Sequence, residues 1–75
     1  MQIHIGNIIR SDLRRKGLTN AWLAERVGMT ERTLQCLFNK SSIDTQLLLR
    51  ISVILHTDFS IYYSQAYHDM TNTDT

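Results

Sequence analysis

The sequence predicts an all-α domain of five short helices, and three observations carry that expectation. Apolar residues make up 43% of a 75-residue chain, enough to build a core. They recur at helical spacing in five separate stretches. The chain has no proline, and two of its three glycines, Gly17 and Gly28, fall at the ends of such stretches. A chain of this length holds one small domain, assigned to residues 1–68. Residues 69–75, polar and without an apolar anchor after Met70, are expected to form a disordered tail.

The first helix is expected over 5–16, where Ile5, Ile8, Ile9 and Leu13 repeat at helical spacing and Gly17 stops it. Arg10, Arg14, Arg15 and Lys16 lie largely off that stripe. The last three sit in the final turn and suit the negative end of the helix dipole, and the other reading is phosphate contact from one or two of the four. The second helix is expected over 20–27. Thr19 caps it, Leu23, Ala24 and Val27 give its apolar face, and Gly28 ends it at positive φ. Trp22 lies beside that face, placed to pack on the first helix or the C-terminal part. Thr30 caps the third helix, over 31–40, with Leu34, Leu37 and Phe38 inward.

Ser42 or Asp44 caps a fourth helix over 45–56. Leu47, Leu48, Ile51, Ile54 and Leu55 make it the most apolar segment and the expected centre of the core; Leu49 and Val53 fall partly outside that stripe. Asp58 starts a fifth helix over 59–67, with Phe59 and Tyr62 towards the core and Tyr63, Ala66 and Tyr67 on a neighbouring face.

The stretch that organises the rest is 19–40. Small Ala24, then Gly28 four residues on, then Leu34 and Leu37, give two helices crossing closely at a tight turn: a helix-turn-helix. With Leu34, Leu37 and Phe38 inward, a step of about 100° per residue turns Arg32, Gln35, Cys36 and Asn39 outward, flanked by Glu31, Thr33 and Lys40. Arg32 matches guanine O6 and N7, Gln35 matches adenine N6 and N7, and Glu31 can accept from cytosine N4.

These residues carry a family resemblance. GMTERTLQCLFNK, ending in Leu37-Phe38-Asn39, resembles the turn and recognition helix of the Cro/phage-repressor (XRE-type) family. Ser42 to Thr45, Leu47 to Ser52 and Asp58-Phe59 resemble small stand-alone bacterial members. The likeness spans roughly residues 5–64. It departs where the family usually has Gln (Asn20 here) and often Glu (Trp22 here), and in the absence of a proline before Ile43. It implies a compact lambda-repressor-like bundle and a DNA-binding face of Asn20, Glu31, Arg32, Thr33, Gln35, Asn39 and Lys40, with Asn20 and Asn39 on phosphates. Relatives commonly pair two copies across a pseudo-palindrome, so a homodimer is expected, with Tyr63, Ala66 and Tyr67 as the candidate interface.

Charge is divided along the chain. The net charge is +1, but all eight Lys and Arg lie within residues 1–50 against Asp12, Glu25, Glu31 and Asp44, for a balance of +4. Residues 51–75 hold Asp58, Asp69 and Asp74 with no Lys or Arg, for −3. That polarity suits a positive part facing phosphate, although the total is low for a nucleic-acid binder. Cys36 is the single cysteine, so no intramolecular disulfide forms. His4, His56, His68 and Cys36 lack metal-ligand spacing, and no nucleophile signature or phosphate-cradling loop appears, so neither a metal, nor a cofactor, nor an enzyme is expected. No run reaches the length of a membrane span and the N-terminus is not a signal peptide, which makes the cytoplasm the expected location. The function expected is operator binding by a small transcriptional regulator, with double-stranded DNA as partner and no small-molecule effector implied. The rival is a helix-turn-helix bundle that binds a protein, as an antitoxin or a regulator-binding module does.

Overall fold

The structure, a computed structural model, describes residues 3–72. It is all-α, with five helices and no strand among the described residues: α1 (Ile5–Arg15), α2 (Asn20–Val27), α3 (Glu31–Phe38), α4 (Thr45–Leu55) and α5 (Ser60–Asn72). The starts of the first three follow from caps. His4 Nδ1 accepts from the Asn7 N–H, Thr19 Oγ1 from the Trp22 N–H, and Thr30 Oγ1 from the Thr33 N–H, each at 3.1 Å. Asp44 occupies the cap position of α4 but its side chain makes no capping bond. Asp58 accepts the Ser60 N–H at 3.0 Å ahead of α5.

α3 packs on α1 and on α2, and α2 packs on α4. The core is Ile5, Ile9 and Leu13 from α1, Leu23, Ala24 and Val27 from α2, Leu34, Leu37 and Phe38 from α3, with Ile51, Leu55 and Phe59 closing it. The turn between α2 and α3 depends on Gly28 at φ +88°, whose N–H donates to the Ala24 carbonyl at 2.9 Å; the Met29 N–H shares that acceptor. A side chain at Gly28 would meet no neighbour, so the requirement is purely conformational.

Gly6 answers to a different constraint. A Cβ there would lie 2.4 Å from the Phe38 carbonyl oxygen. The glycine lets the start of α1 press against the end of α3, and the Ile5 and Gly6 N–H groups donate to the Ser41 and Lys40 carbonyls at 3.1 and 3.0 Å. Two opening N–H groups of α1 are thereby satisfied by the loop that follows α3.

Asp12 is buried at 6% exposure, within α1. It accepts from Arg15, from Lys16 Nζ at 2.6 Å and from Thr57 Oγ1 at 2.9 Å, and Lys16 also donates to Thr57 at 2.6 Å. Burial alone would raise its pKa, but the hydrogen bonds from Lys16, Arg15 and Thr57 outweigh it and hold the carboxyl below its usual range. This group ties α1 to the α4–α5 turn. That turn reverses at His56, a non-glycine residue at φ +53°.

Three expectations are corrected. α4 is not the centre of the core: only Ile51 and Leu55 are buried, Leu47, Leu48 and Ile54 are half-buried, and Leu49 and Val53 are 60% and 64% exposed. α1, α2 and α3 carry most of the core instead, each burying three apolar side chains against two from α4. The fifth helix does not stop at 67, and the expected tail is helical from Asp69 to Asn72, since neither Gly nor Pro breaks it and Thr71 Oγ1 bonds back to the Tyr67 and His68 carbonyls. Residues 73–75 of that tail lie outside the described residues. Ala66 is not presented outward: it is 8% exposed, because residue 66 falls two turns after Phe59 on the same inward stripe.

Candidate nucleic-acid interface

The eight basic side chains sort into two sets. Four have an intramolecular partner. Arg15 and Lys16 pair with Asp12. The Arg26 guanidinium sits 5.0 Å over the Trp22 ring, and Arg50 donates to the Val27 carbonyl at 2.7 Å, holding the end of α2. The other four, Arg10, Arg14, Arg32 and Lys40, make no ion pair or side-chain hydrogen bond among the described residues. All four lie on α1 or on α3 and the residues just after it.

α3 puts Glu31, Arg32, Thr33, Gln35 and Cys36 in solvent, with Asn39 and Lys40 exposed just beyond it, while Leu34, Leu37 and Phe38 are buried. Arg32 and Asn39, seven residues apart, share one edge of that exposed stripe. The outward face expected from spacing is therefore the outward face of the fold. Thr33 is less free than its exposure implies: its hydroxyl accepts from Thr30 Oγ1 at 2.9 Å, within the helix cap. Asn20, half-buried as the first residue of α2, faces a cleft of about 270 Å³ that it shares with Arg10, Arg14, Gln35 and Asn39 over a floor of Phe38. The cleft thus joins three of the seven expected residues. Glu31, Arg32, Thr33 and Lys40 lie outside it.

Arg10 and Arg14 are absent from the seven expected residues, yet the signal was in the chain. Asp12 stands three and four residues before Arg15 and Lys16, the spacing of helical ion pairs. Arg10 and Arg14 have no acid at either spacing; each has only the other, four residues away. Trp22 is half-buried against the core and lines a hollow with Val53, Ile54 and Leu55 of α4, so it packs on the C-terminal part.

Among the described residues no group of three His, Cys, Asp or Glu side chains is placed to hold a metal ion, and no helix is long and apolar enough to cross a membrane. Tyr63 and Tyr67 are 40% and 63% exposed, and Tyr67 lies with Met70, Ile3 and Ser41 around a shallow apolar hollow. Comparison with protein-family models, with curated proteins and with solved structures gives no match to this chain.

Proposed function

We propose that this chain is a sequence-specific DNA-binding domain, a small cytoplasmic transcriptional regulator whose α3 reads the major groove. The observation that carries the reading is the sorting of the cations. Every Lys or Arg with no partner among the described residues lies on α1 or around α3, and three expected contact residues, Asn20, Gln35 and Asn39, line one cleft with two of them. An α-helix that exposes Arg32 and Gln35, with Asn39 just beyond its end, can enter a major groove. The resemblance to the Cro/phage-repressor family points the same way.

A homodimer goes with this reading, since one short recognition helix covers too few base pairs to pick one site from a genome. The exposed apolar side chains of α4 and α5 supply a surface for it, and Tyr63 and Tyr67 are its nearest aromatic members. That same surface favours a second reading, a module that binds another protein.

Selection from a random DNA pool at stated salt, followed by titration of the selected duplex, tests the first reading. Affinity should fall steeply with salt. Arg32→Ala should lose about 1–3 kcal/mol on the selected site and relax one base position, whereas Lys40→Ala should weaken all sequences alike. No enrichment from the pool, together with salt-insensitive capture of a protein, would move the assignment to the second reading.

A further inference from the structure

We infer that the cleft between α1, the start of α2 and the side of α3 is a seat for one nucleic-acid backbone phosphate, held jointly by Arg10 and Arg14. The inference rests on the DNA-binding reading and narrows the phosphate contact open to four cations of the first helix to Arg10 and Arg14, acting together on one phosphate. Arg10 and Arg14 stand one helical turn apart on α1 and line the same cleft. Like charges at that spacing repel, and among the described residues no carboxylate lines the cleft to answer them. Directly after Arg14, Arg15 at the end of the helix and Lys16 at its cap are answered by a buried Asp12. The fold thus gives one pair of cations a shared carboxylate and leaves the adjacent pair facing a hollow.

The rest of the lining fits an oxyanion with two or three free oxygens. Asn20, Gln35 and Asn39 each carry an amide NH₂ donor, and Phe38 closes the floor without a charge. Two guanidinium forks can bracket a phosphate that neither would hold alone in water. Seated there, the phosphate would touch all three helices that carry the turn, so it sets how α3 enters the groove. Gln35 and Asn39, on the rim, would then serve positioning as well as any base contact. Affinity from this site is independent of base sequence.

The test is a double-variant cycle on the selected duplex, measured over a salt series with wild type, Arg10→Ala, Arg14→Ala and the pair. Each single variant should weaken selected and scrambled DNA by the same factor, about tenfold, and should lower the salt slope by about one. The double variant should be only a few-fold weaker than either single one, because both lose the same phosphate. Circular dichroism and melting of each variant separate misfolding from lost contact, and Arg10→Lys with Arg14→Lys should recover part of the affinity through charge alone.

A double variant that binds as wild type does would overturn the inference while leaving the DNA reading intact. So would single effects that multiply, which would mean two independent contacts. Stabilisation of wild type, but not of the double variant, by inorganic phosphate at matched ionic strength, with DNA affinity unchanged between them, would reassign the cleft to a free anion. Wild type that binds no duplex at any salt would remove the DNA reading itself, and this inference with it.

Discussion

Residues 5–38 and residues 45–72 place their apolar side chains differently. In the first region Ile5, Ile9, Leu13, Leu23, Val27, Leu34, Leu37 and Phe38 are all buried, and what reaches solvent is largely polar or charged. In the second, Ile51, Leu55, Phe59 and Ala66 are buried while Leu49, Val53, Ile61, Tyr63, Tyr67 and Met70 stay in solvent. The charges divide the same way, since the second region holds one basic residue, Arg50, and that one is bound to the Val27 carbonyl. The first is a closed structure with cations to spare, and the second exposes apolar side chains beside little positive charge. Under the function proposed above, the first would meet a polyanion and the second another protein surface, its own copy included.

The comparison can be broken most severely at Gly6. Gly6→Ala would drive a methyl group into the Phe38 carbonyl, and the closed region can relieve it only by parting α1 from α3. Urea denaturation should show a loss of more than about 3 kcal/mol, or no folded protein. A loss under about 1 kcal/mol would mean that the first region is not locked by this contact.

Asp12→Ala tests the link between the regions. It leaves Arg15, Lys16 and Thr57 without their shared acceptor and should cost about 2–3 kcal/mol at neutral pH. The pH dependence has a definite sign. The folded carboxyl is depressed below the unfolded value, so its stabilisation is fully present above about pH 4 and is lost as pH falls through the folded pKa. Asp12→Asn should therefore flatten the acid limb of a stability-against-pH curve. An unchanged limb would show that the carboxylate's charge is not what joins α1 to the α4–α5 turn.

His56→Gly sharpens the comparison in the other direction. The residue holds positive φ without being glycine, so the replacement should stabilise by about 0.5–1 kcal/mol. Destabilisation would mean that the imidazole contributes more to the turn than its backbone strain costs. Tyr67→Asp should move folding stability least, by under about 0.5 kcal/mol, since the ring is mostly in solvent. It should nonetheless shift sedimentation towards the monomer. A wild type that sediments as a monomer at tens of micromolar, unchanged by the substitution, would leave the apolar surface without a second copy.

How much of this was legible in the sequence follows the same division. Thr19, Gly28 and Thr30 act within a few residues of themselves, so the bounds of α2 and the turn into α3 could be read directly. The outward face of α3 followed from periodicity alone. Gly6 could not be read, because its constraint is a carbonyl thirty-two residues away in the chain. Tertiary contact also decided that α4 would be only half-covered, although its apolar run resembles a core helix. The end of α5 does not follow the apolar pattern, because a helix continues on its own backbone bonds where no Gly or Pro interrupts it. Arg10 and Arg14 were visible as cations, but their freedom shows only once Asp12 is seen to hold their neighbours.

The join between α1 and α3 also has an electrical consequence. A helix start carries a partial positive charge on its unpaired N–H groups, and a helix end a partial negative one. At α1 the Ile5 and Gly6 N–H groups are bound to the carbonyls that follow α3, and the Asn7 N–H is bound to His4, so that positive pole is cancelled inside the protein. The starts of α4 and α5 are fronted by Asp44 and Asp58, and α3 has Glu31 in its first turn. α2 begins with Asn20, has no acid in its first turn, and lends none of its opening N–H groups to another helix. Thr19 caps its Trp22 N–H, but among the described helices it is the one whose start is neither bound to another segment nor fronted by an acid, and it opens where Arg10 and Arg14 stand.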